Sequence, residues 1–138
     1  TPQDTDGAVA DINVLLNSMA GTHMTESQII NYFASKSYMP LHIKKSSERS
    51  IKKELHPQGF SIPDSDTENL LQCVLHLRRV ITVHEGLRWN DIKRFGIELA
   101  HPRSGKSDDE LLVDDPRRAV QIPQEVIAAG LEANPRNN

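Results

Sequence analysis

Six histidines and one cysteine are the residues of this chain best suited to hold a metal or move a proton. Cys73 and His76 stand three residues apart in a helical stretch, so both could face one metal ion. Structural zinc takes four ligands, and no second pair at matching spacing supplies the other two. Cys73 also lies among Leu70, Leu71, Val74, Leu75 and Leu77, where a buried, inert thiol is the stronger expectation. His76, on the same apolar stretch, reads as a core histidine with its hydrogen bonds satisfied. Ser104, in Arg103-Ser104-Gly105-Lys106, lacks the flanking glycines of a nucleophile elbow. Gly105-Lys106-Ser107 ends like a phosphate-binding loop, but Ala100 stands where that pattern needs its first glycine. Asp108-Asp109-Glu110 reads as a solvated acidic run. No catalytic constellation, metal or cofactor is expected.

Charge narrows the partners. Sixteen Lys and Arg against nineteen Asp and Glu leave −3, so bulk attraction to nucleic acid is not expected. Lys44-Lys45, Arg49 and Lys52-Lys53, interleaved with Glu48 and Glu54, read as a solvated helix face. The local exception runs from Arg78 to Arg94, where Arg78, Arg79, Arg88, Lys93 and Arg94 face Glu85 and Asp91, a net of +3. Arg78, Glu85, Arg88 and Asp91 recur at steps of seven, three and three, which suits one helix side. Guanidinium and carboxylate groups taken out of water together must be paired and hydrogen-bonded. A semi-buried ion-pair network locking two helices around Gly86 is the stronger reading, and an anion or sugar site the alternative.

These groups need elements to carry them. A chain of 138 residues, 37% apolar and 25% charged, has room for one domain with a core. No apolar run is long enough to span a bilayer as a helix, and Thr1-Pro2-Gln3-Asp4 has no signal-peptide character. Val9, Ile12, Leu16 and Met19 predict an amphipathic helix between Asp6, a candidate N-cap, and Gly21. Thr25 and Gln28 form a capping-box pattern ahead of Ile29, Ile30, Tyr32 and Phe33, and this helix should end before Tyr38-Met39-Pro40. Ser46 or Ser47 predicts a third helix through Ile51 and Leu55. Thr67 opens the strongest one, whose wide apolar face places it at the centre of the fold. A further helical segment spans 87–95, stopped by Gly96. Ile97-Glu98-Leu99 and Leu111-Leu112-Val113 predict a small hairpin, and Pro123 starts a short last helix ending at Gly130. The fold class is mainly α, with a small β-hairpin and long loops.

The segment Arg78-Arg79, then Glu85-Gly86-Leu87-Arg88-Trp89-Asn90-Asp91-Ile92-Lys93-Arg94-Phe95-Gly96, resembles the C-terminal signature of the SusD/RagB family of Bacteroidetes surface lipoproteins. Leu87 replaces a common histidine and Asn90 a common aromatic, and the charge pattern is kept. Asp115-Pro116-Arg117-Arg118, Ile122-Pro123 and Asn134-Pro135 resemble the way family chains close. The likeness is best over 68–138.

The resemblance implies a non-catalytic nutrient receptor, lipid-anchored on the outer face of the outer membrane. It would bind oligosaccharides and deliver them to a TonB-dependent, SusC-like transporter; an oligopeptide ligand, or a role as scaffold and transporter interface only, are the alternatives. It also implies that 1–138 is the C-terminal portion of a longer SusD-like α-helical chain, with the acylated cysteine elsewhere. Sugar recognition uses aromatic faces and polar groups on loops. Tyr38, beside Pro40, and His42 are the candidate ligand residues, and Trp89 is expected to pack.

Overall fold

The computed structural model describes residues 5–135. Helix α1 (Thr5–Ala20) stops at Gly21, whose φ of 60° suits glycine. Asp6 lies inside its first turn and is not the cap. On its inner face Asn13 donates to the carbonyls of Val9 (3.0 Å) and Met24 (2.8 Å) and accepts from the Met24 N–H (2.7 Å). One amide side chain thus pins the approach to α2 (Glu26–Ala34). The capping box forms: Thr25 N–H donates to Gln28 Oε1 (2.8 Å), and Gln28 N–H to Thr25 Oγ1 (3.3 Å).

Helix α3 (Ser65–Ile81) begins two residues before Thr67, because Asp64 caps it by accepting from the Thr67 N–H at 2.7 Å. It packs on both α1 and α2. Ile12, Ile29, Phe33, Leu70, Cys73 and Leu77 form the buried cluster. Helix α4 (Arg88–Arg94) follows a turn in which His84 and Gly86 both take positive φ.

The helix expected through Ile51 and Leu55 is not there. Only a 3-10 turn, Ser46–Glu48, forms, and Arg49 turns extended at ψ 128°. Glu48 Oε2 accepts from the Lys44 and Lys45 N–H groups at 2.7 and 3.2 Å, closing the turn locally. The strip beyond it then bonds to other elements. Met39 N–H donates to the Lys52 carbonyl at 2.9 Å, and Tyr38 bridges Lys52 in parallel. Gln72 of α3 accepts from the Lys53 N–H (3.1 Å) and donates to its carbonyl. Asn69 and Gln72 are 4% and 2% exposed, so these buried amides on α3 need outside partners. A helix would have consumed its own backbone groups; an extended strip offers them.

Strands β1 (Leu99–His101) and β2 (Asp109–Leu111) pair antiparallel, with Ala100 opposite Glu110. The hairpin therefore lies two residues inward of its expected position. Ile97 accounts for the shift: it is 1% exposed and belongs to the core instead of the sheet. A 3-10 turn, Pro116–Arg118, is capped by Asp115, and α5 (Gln124–Ala128) follows Pro123, which sits at the cap. Gln121 and Asn134 bond to one another's segment, the Asn134 N–H donating to Gln121 Oε1 at 3.0 Å. The opening Thr1-Pro2-Gln3-Asp4 lies outside the described residues. Among the described residues no helix is long and apolar enough to cross a membrane. The architecture is mainly α with one two-stranded sheet.

Candidate functional site

The segment between α2 and α3 carries both candidate ligand residues, and the fold sends them to different elements. Tyr38 Oη donates to Glu68 Oε1 on α3 at 2.6 Å, and the Lys52 ammonium sits 4.5 Å from the ring centroid. Burial and the Glu68 carboxylate push the phenol up to about 12, so Tyr38 is a neutral donor throughout the ordinary pH range. The residue remains 39% exposed. His42 turns to the hairpin: Nδ1 lies 2.8 Å from Asp108 Oδ2, and Nε2 lies 3.2 Å from Glu110 Oε1. With both nitrogens protonated the ring donates to both carboxylates. A cavity of about 240 Å³ beside it is lined by Leu41, His42, Arg49, Pro102 and Asp108 among others.

Lys52 corrects the reading of 44–53 as a solvated helix face. It is 6% exposed, and its ammonium donates to Asn69 Oδ1 at 2.8 Å. The Phe33 carbonyl at 3.5 Å and the Tyr38 ring complete its surroundings. Lys53, its neighbour, is half-buried, with its ammonium 3.3 Å from Met39 Sδ.

The charged signature contracts from the expected four-residue network to one pair. Arg78 Nε reaches Asp91 Oδ1 at 2.9 Å, and the Asp91 side chain is only 6% exposed. This pair fastens α4 to the end of α3. Glu85 stands exposed, because α3 ends at Ile81 and the turn at His84 and Gly86 breaks the helical register. Spacing along one continuous helix therefore misplaces it. Arg79, Arg88 and Trp89 are half-buried, while Lys93 and Arg94 are exposed. Arg94 packs its guanidinium 5.8 Å from the Phe95 ring centroid.

Arg118 is the strongest anchor in this region. Its guanidinium donates to the carbonyls of Ile92 (3.0 Å), Ile97 (2.7 Å), Leu111 (3.3 Å) and Leu112, joining α4, its exit and β2. Arg117 faces outward to Asp115 at 2.6 Å and Asp109 at 3.0 Å. Nothing in Asp115-Pro116-Arg117-Arg118 tells these roles apart, since they depend on which way each arginine leaves a 3-10 turn.

Cys73 is buried, and burial pushes its thiol up to about 11. Thiolate at neutral pH falls about 100-fold against a free thiol of the usual value. Iodoacetamide is expected to label Cys73 at least that much more slowly in the native protein than in denaturant, a ratio that mass spectrometry reads directly. His76 departs from the expectation of a satisfied core histidine. Among the described residues its hidden Nδ1 has no hydrogen-bond partner, and burial together with Arg79 pulls the ring below the ordinary imidazole value. The ring packs toward Phe33, centroids 6.5 Å apart. It lines an apolar cavity of about 270 Å³ with Leu16, Met24, Tyr32, Ile51 and Cys73 among its walls. Among the described residues, no three His, Cys, Asp or Glu side chains group as metal ligands. Comparisons with models of protein families, with curated proteins and with solved structures find no match to this chain.

Proposed function

We propose that the chain is the C-terminal portion of a SusD/RagB-like nutrient receptor, one that binds oligosaccharides without catalysis at the outer face of the outer membrane. In this reading it passes them to a TonB-dependent, SusC-like transporter. The observation that carries it is the folded form of the signature: Arg78 and Asp91 clamp α4 to α3 in a self-satisfied joint. Charged residues kept for packing are what a fold-defining signature needs. Tyr38 supports the ligand side of the reading, since its ring stays partly open on a segment between helices while Glu68 and Lys52 fix its orientation.

Calorimetric titration of the protein with a panel of neutral oligosaccharides, and in parallel with oligopeptides, tests this. Binding of a glycan is expected, weakened by about tenfold in Tyr38→Ala, the loss of one aromatic face. Peptide binding alone moves the assignment to an oligopeptide receptor. Silence in both panels, with no capture of a SusC-like transporter by the purified protein, sinks the reading. A specific observation favours a scaffold role as runner-up: Tyr38 and His42 are each held by partners of the fold itself. Glycan affinity unchanged in both Tyr38→Ala and His42→Ala selects it.

A further inference from the structure

Separate segments of the chain wall the apolar cavity of about 270 Å³. Leu16 of α1, Phe33 of α2, Ile51 of the extended strip and Cys73 of α3 each contribute to it. Its floor belongs to the core, since Ile29, Phe33, Cys73 and Leu77 are all buried. Tyr32, 46% exposed, brings the lining out to the surface, its ring centroid 5.4 Å from that of Phe33. Of the nine lining side chains, only those of Tyr32 and His76 carry nitrogen or oxygen.

His76 is the anomaly in this wall. Among the described residues its Nδ1 is hidden and meets no hydrogen-bond partner. Burial, and after it Arg79, disfavours the imidazolium, so the ring gains nothing by taking a second proton. Buried polar atoms are ordinarily paired, and one left alone costs free energy. Water is a poor remedy here. An ordered water takes about three hydrogen bonds, and the lining side chains offer it nitrogen or oxygen at only His76 and Tyr32. A molecule with an apolar body and a single hydroxyl answers both needs. Its body covers the walls, and its hydroxyl meets the imidazole, whose χ2 torsion is broad enough to turn Nδ1 toward it.

We propose that this cavity binds a small uncharged aromatic alcohol, its ring against Phe33, Ile51 and Leu77 and its hydroxyl on His76. A dry apolar cavity of about 150 Å³ takes benzene, so this one has room for a ring with a substituent or two. An ion finds no counter-charge in it, because the lining includes no Lys, Arg, Asp or Glu. The site does not depend on the nutrient-receptor reading, and it is separate from Tyr38 and His42.

Titration of the intact protein with p-cresol and with toluene, which differ only by the hydroxyl, tests the site. NMR of the backbone amides and of the histidine ring nitrogens follows both. Saturable binding of p-cresol is expected, moving the amides around the cavity and the His76 Nδ1 resonance. Toluene is expected to bind about tenfold more weakly, the loss of one hydrogen bond to a buried partner. With p-toluate, the charged counterpart, affinity should fall below that for p-cresol by about tenfold or more. His76→Phe should erase the preference for p-cresol over toluene, and Ile51→Trp, which fills the cavity from the strip, should abolish binding of both. Absence of saturable p-cresol binding overturns the proposal, as does equal affinity for p-cresol and toluene or for p-cresol and p-toluate. An undiminished preference for p-cresol in folded His76→Phe overturns it too. The unaltered protein decides the matter even if a variant fails to fold.

Discussion

Alanine at position 96 is expected to destabilise the protein by about 3–4 kcal/mol, read as a drop in the free energy of urea unfolding. Two costs combine. Gly96 has φ 59°, a conformation that a Cβ disfavours by about 1–2 kcal/mol. The added carbon also has no space: it would overlap the His56 carbonyl oxygen and lie 2.6 Å from its carbonyl carbon. Those atoms are backbone, and His56 N–H is bonded to the Phe95 carbonyl at 2.8 Å, so neither side can retreat cheaply. Overpacking of this kind costs about 1–3 kcal/mol more. Gly105→Ala is the matched control. Its φ is 70° but no atom lies within 4 Å of the built Cβ, so only the conformational cost of about 1 kcal/mol remains. Equal losses at the two positions would show that the close approach to His56 carries no weight.

Arg118→Lys is expected to cost about 3 kcal/mol, despite preserving the charge. Four carbonyls now share one guanidinium fork, and the Ile92 and Ile97 carbonyls beneath it belong to residues only 6% and 1% exposed. A lysine ammonium offers three donors from one point and cannot reach carbonyls spread across α4, its exit and β2. Amide hydrogen exchange should localise the damage to the hairpin and the residues 95–98, leaving the α1–α2–α3 core protected. Arg117→Lys supplies the contrast, because Arg117 is itself exposed, its Asp109 partner sits at the surface, and that contact is screened. Loss of protection spread evenly over the whole chain would contradict the assignment of Arg118 as a local bolt.

The helices of the first half were legible because their information is local. Thr25 and Gln28 are three residues apart, and their capping box needs nothing from elsewhere in the chain. The apolar periodicity of α3 likewise fixes both its helicity and its central place, since so wide an apolar face has to be covered on more than one side. Cys73 follows from its neighbours alone. Failures came where a residue's role depends on a distant partner. Ser46 to Leu55 has helical spacing, yet Asn69 and Gln72 claim the strip from across the fold. Glu85 left the expected network once His84 and Gly86 ended the helix above it.

The amino-acid sequence by itself determined a mainly α chain, with the capping box of α2 and a buried cysteine, because capping, periodicity and apolar clustering act within one or two turns. Only the tertiary structure decided which charges are paired and which serve as bolts. Arg78, Arg79, Arg88, Arg117 and Arg118 are chemically the same side chain. One clamps Asp91, two are half-buried, one faces water, and one holds four carbonyls. Their differences lie in direction and surroundings, and these are set by contacts between segments far apart in the chain.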